Sequence, residues 1–71
     1  MYHFLVVFEK TKSNYSAYCP DLPGCVGTGR TRKAAERNIH EAIEMHIHGM
    51  IEDGVRVPKP QATAETLVIA R

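Results

Sequence analysis

Tryptophan is absent from this 71-residue chain, cysteine occurs only twice, and the longest unbroken apolar run, Phe4–Phe8, is five residues. Each shortage excludes something. Two cysteines cannot build the disulfide framework that holds many small secreted domains together. A five-residue apolar run cannot cross a bilayer, and no charged leader precedes it as in a signal peptide, so no membrane partner is expected. The expected location is the cytoplasm, where Cys19 and Cys25 are free thiols used for packing. Charge imbalance is also missing: the formal net charge is +1, too little for a field that would gather a phosphate backbone. The one basic cluster, Arg30, Arg32, Lys33 and Arg37, has no interleaved aromatics and reads as a solvated flank.

Acids are scarce where a nuclease would need them. Two-metal phosphodiester chemistry requires several carboxylates brought together from strands and helix, yet Tyr2–Phe8 contains none, Asp21 sits in a turn, and Glu9 and Glu65 fall at strand ends. No enzymatic role and no cofactor are expected. Histidine is the exception to this sparseness, with three of the four within nine residues at His40, His46 and His48. His40 and His48 share an i, i+4, i+8 stripe with Glu36 and Glu44, a pattern that can bind a transition metal only with further ligands and outer-shell support. Ordinary i, i+4 pairing on a solvated face is the reading the pattern favours.

What the chain does contain is organised around Pro20-Asp21-Leu22-Pro23-Gly24-Cys25. Two prolines fix φ and Gly24 permits a left-handed conformation, so this is a rigid turn. Before it, Tyr2–Phe8 alternates Tyr2, Phe4, Val6 and Phe8 against His3, Leu5 and Val7; both faces are largely apolar, as in the middle of a sheet. Tyr15–Cys19 reads as strand two and Cys25–Thr28 as a short third strand, where Gly27 and Gly29 suit an edge with a bulge. A long helix is predicted from Thr31, its N-cap, to Asp53, with Gly54 as the stop. Its apolar stripe runs through Ala35, Ile39, Ala42, Ile43, His46, Ile47, Met50 and Ile51. A last strand, Thr66–Ala70, follows a proline-marked connection.

These elements predict one α+β domain, β-β-β-α-β, with a four-stranded mixed sheet in the order 3-2-1-4 under one helix. So short a chain buries about 60% of the surface of its unfolded form, so association is expected, as a homo-dimer or tetramer. The candidate interface is the second face of strand one, His3, Leu5 and Val7, with Leu67 and Ile69 of the last strand. Protonation of His3 there would make assembly sensitive to pH near neutrality.

The string of residues resembles the HicB-like antitoxins. The likeness rests on the hydrophobic first strand, the Tyr-rich second strand, Pro20 through Cys25, Gly29, Thr31, Ala35, Asn38, Glu41-Ala42-Ile43, Glu52-Asp53-Gly54 and Pro58. It implies a catalytically inactive, partial RNase H-like fold whose members bind and neutralise a small HicA-type messenger-RNA-cleaving toxin. Many members also carry a C-terminal DNA-binding domain; with Arg71 directly after the last strand, none is expected here, and operator binding is in doubt. Arg32-Lys33 stand where similar sequences carry acids, so Glu36, Glu41 and Glu44 are expected to steer a basic toxin. The other readings are an orphan homo-oligomer that binds nucleic acid weakly through the basic cluster, and a residual RNase H-like nuclease.

Overall fold

In the computed structural model, which describes residues 1–71, three short strands and one helix follow each other along the chain. They are β1 (Val7–Lys10), β2 (Tyr15–Tyr18), β3 (Val26–Gly29) and α1 (Arg32–Glu52). The strands form an antiparallel sheet in the order β1-β2-β3. The loop from β1 to β2 is closed by Thr11, whose backbone N–H donates to the Asn14 carbonyl at 2.8 Å and whose hydroxyl reaches the Asn14 side-chain oxygen at 2.7 Å.

The turn from β2 to β3 is two consecutive β-turns. Leu22 N–H donates to the Cys19 carbonyl at 3.1 Å, and Cys25 N–H donates to the Leu22 carbonyl at 3.1 Å. Pro20 and Pro23 preset the first central position of each, and Gly24 supplies the positive φ (+90°) of a type II turn. Between the prolines Leu22 points inward and is 1% exposed. The turn is thus also a plug, because it drives an aliphatic side chain into the core beside Ala17, Cys19, Cys25, Ala35 and Ile39.

Helix α1 begins and ends on local chemistry. The Thr31 hydroxyl accepts from Ala34 N–H at 3.0 Å, satisfying one of the first-turn donors. At the other end Val55 N–H bonds the Met50 carbonyl at 2.8 Å and Gly54 N–H the Ile51 carbonyl at 3.1 Å, with Gly54 at φ +71°; this is the Schellman closure. Arg32 and Lys33 oppose the helix dipole in the first turn, and Arg32 finds other partners, the Phe8 ring at 4.0 Å and the Glu36 carboxylate at 3.5 Å.

Three expectations are corrected. Strand one pairs only from Val7, because β2 ends at Tyr18 opposite Val7 and the chain then enters the turn; Tyr2–Val6 continue without a neighbour on that side. No bulge interrupts β3, whose register runs evenly from Tyr18↔Val26 to Tyr15↔Gly29. Its glycines serve a different purpose: a Cβ on Gly27 would fall on the backbone nitrogen of Ile39, and one on Gly29 would lie 2.6 Å from the Ala34 Cβ. Helix and strand touch backbone to backbone there. Finally, within one chain the sheet has three strands and not four. Thr66–Ala70 pairs with nothing, because the connection is held at Ala62, whose N–H donates to the Asp21 carboxylate at 3.2 Å, and residues 63–71 run on exposed.

Candidate functional site

The alternation read in Tyr2–Phe8 places Tyr2, Phe4, Val6 and Phe8 on the side of the sheet facing α1. Opposite them stand Ile39, Ile43 and Ile47, spaced to share one helical face. The two rows do not close: between them lies a groove of ≈ 390 Å³, rimmed by Glu36, His40 and Glu44. Tyr2 and Phe4 stack with ring centroids 6.1 Å apart at its lower end, and the Arg32 guanidinium covers Phe8 at the other. Apolar walls with a charged rim suit a protein or peptide partner.

On the outer face of the sheet Leu5 and Val7 are half-buried and His3 is exposed. Leu67 and Ile69, expected beside them, are instead 70% and 72% exposed in the unpaired tail. Glu36, Glu41 and Glu44 are all exposed. Glu44 pairs with His40 at 3.3 Å and Glu52 with His48 at 3.9 Å, the i, i+4 pattern read from the sequence; no three His, Cys, Asp or Glu side chains are grouped to hold a metal ion. His46 and Ile51, counted in the apolar stripe, are exposed.

Cys19 and Cys25 are both buried and unbridged. Burial, and secondarily the nearby Cys19, push the Cys25 thiol above the usual range, and its Sγ–H points at the Ala42 carbonyl at 3.9 Å. A thiol held protonated is a packing group and a poor nucleophile. Asp21, the acid of the turn, accepts a hydrogen bond from the tail. Two contacts escaped the sequence reading: that one, and Asn38, whose Nδ2 donates to the Thr28 carbonyl at 2.6 Å and ties α1 to β3. Both residues lie inside the quoted motifs, which was the signal available.

The fold and these surfaces define a small α+β domain with an open apolar groove, an unpaired sheet edge and an acidic helix flank, features of recognition. The chain belongs to the family described as HicB-like antitoxin of bacterial toxin-antitoxin systems, whose match covers residues 3–69. It is 39% identical over 70 residues to a UPF0150 protein of Synechocystis, covering 97% of this chain and 89% of that one. It is also 43% identical over 54 residues to an uncharacterised 14.9 kDa protein of Haemophilus phage HP1, of which the match spans only 41%. Among solved structures it resembles a chain of a HicA3 and HicB3 toxin-antitoxin complex, with a TM-score of 0.63 and 27% identity, covering 83% of this chain and 72% of that one. No helix of this chain is long and apolar enough to cross a membrane.

Proposed function

We propose that this chain is an antitoxin that neutralises a HicA-type, mRNA-cleaving toxin by covering it in a direct protein–protein complex in the cytoplasm. The observation that carries the reading is the structural likeness, at 27% identity, to a chain of a HicA3 and HicB3 complex. The surfaces are consistent with it. An RNA-cleaving partner presents basic side chains to its substrate, and the exposed carboxylates Glu36, Glu41 and Glu44 offer charge of the opposite sign. The reading gives the chain no catalytic step of its own: its buried thiol keeps its proton and the Asp21 carboxylate is engaged by the tail. Nor does it rely on RNA binding, since Arg32 of the basic cluster already lies over Phe8 and beside Glu36.

The test is to recover the tagged chain from its native cytoplasm, identify any small basic protein that accompanies it, and assay that protein on messenger RNA with and without the chain. Cleavage that stops when equimolar chain is added is the expected result. Recovery of the chain alone, or a partner that cleaves equally in its presence, overturns the reading.

A further inference from the structure

We propose that two copies of this chain pair by exchanging their C-terminal strands, each laying Thr66–Ala70 along the free edge of the other's β1 and closing the other's groove. This stands whether or not a toxin binds. The molecule is too open for a finished monomer: its accessible surface is 5989 Å², against about 4,500 Å² for a compact protein of its mass. Its radius of gyration is 14.0 Å, where about 11 Å is usual for this length. The excess lies in the tail, where Leu67, Val68 and Ile69 are 70%, 94% and 72% exposed in sequence. Three neighbouring apolar β-formers are not left in water without a partner. The family match runs to residue 69, which places them inside the domain.

The acceptor is equally unfinished. β1 has β2 on one side and nothing on the other, and Tyr2–Val6 above it have backbone groups paired on neither side. An added strand would satisfy those groups and wall the groove between Phe4, Val6 and Ile43. Alternation puts Leu67 and Ile69 on one face of that strand and Val68 on the other. Both faces would meet apolar neighbours, the groove on one side and Leu5 and Val7 on the other. This is why the tail lacks the polar alternate of a half-exposed strand. The predicted four-strand order is then completed by the partner's strand. The tail is already presented for it: Pro58 and Pro60 stiffen its approach, the Asp21–Ala62 bond roots it at the β2–β3 turn, and beyond that bond it pairs with no strand of its own sheet. Exchange is reciprocal, so the assembly closes at two copies, burying on the order of 1,000 Å², enough for a specific interface.

Hydrogen exchange of the Leu67–Ala70 amides, followed with sedimentation of the full chain across a hundredfold concentration range, tests this. Protection that grows with concentration in step with doubling of the 8.0 kDa mass is expected, together with loss of both in L67D/I69D while helical circular dichroism persists. Protection independent of concentration in a single-chain species shows the tail closing on its own sheet and overturns exchange. So does an unprotected tail, or an assembly that L67D/I69D leaves intact. A second pair of variants, V68P and I69P, one of which removes a ladder donor in either register without adding charge, must include one that weakens the pair at least tenfold for the proposal to stand.

Discussion

Along β3, helix α1 approaches so closely that neither Gly27 nor Gly29 leaves room for a Cβ, whereas along β1 the same helix stands off behind a groove of ≈ 390 Å³. The fully buried side chains gather toward the first side, with Leu22 driven in by the turn; Ile39 stands at the border, its main chain against Gly27 and its side chain in the wall of the groove. On the second, Phe4, Val6, Phe8, Ile43 and Ile47 are only half-covered. The difference separates contacts that the chain completes alone from apolar surface that it leaves open. Contacts on the closed side set the fold.

The same substitution made at the close contact and away from it breaks or confirms this division. Gly27→Ala forces a methyl group onto the main chain of α1, which cannot move as a side chain would, and costs about 3 kcal/mol or more. That corresponds to a Tm lower by roughly 12 °C or more for a domain of this size. Gly49→Ala, in the part of α1 beyond the close contact, meets nothing within 4 Å and raises stability by about 0.5–1 kcal/mol by restricting the unfolded chain. Thermal melts at equal protein concentration decide it. Equal and small effects at both positions would mean that the helix can lift from β3 and that the closed side is not closed.

Gly24→Ala sharpens the comparison at an intermediate cost. No atom lies within 4 Å of its added Cβ, but φ is +90°, so the penalty is conformational alone, about 1–2 kcal/mol. A denaturant midpoint shifted by that amount, with an unchanged slope, separates backbone strain in the turn from the steric clash at Gly27. A loss as large as that of Gly27→Ala would show that the turn's geometry, beyond placing Leu22, holds the whole closed side.

Features of the fold that depend on neighbours in sequence were legible. Thr31 and Gly54 bound the helix within a residue at each end because a cap and a left-handed stop act over a few positions. The prolines and Gly24 announced the turn for the same reason. Legibility failed where the cause lies across the fold. Gly27 and Gly29 read as weak strand residues, since nothing nearby in the sequence states that α1 will rest on them. Thr66–Ala70 reads as a strand from its composition, but composition does not say that the tail will be held at Ala62 and left unpaired by its own sheet. Among the candidate site residues, the outward alternation of Leu5 and Val7 was readable, and the hold of Asp21 on Ala62, forty-one residues away, was not.

The smallest expected effect on stability tests the open side most directly. Glu41→Lys with Glu44→Lys changes only exposed positions; Glu44 gives up its exposed pairing with His40 at 3.3 Å, and Glu41 touches no cation across the helix. Surface changes of this kind stay within about 0.5 kcal/mol, so the melt should barely move. Association with an RNA-cleaving partner should nonetheless slow by roughly tenfold at low salt, because like charges now meet during approach, and the deficit should shrink as salt screens them. Stopped-flow rates at two ionic strengths read this. If the rate is unchanged while Tm holds, the acidic flank of α1 takes no part in steering a partner. If Tm falls instead, these carboxylates support the helix itself, and the boundary between the closed and open sides runs through α1 rather than beside it.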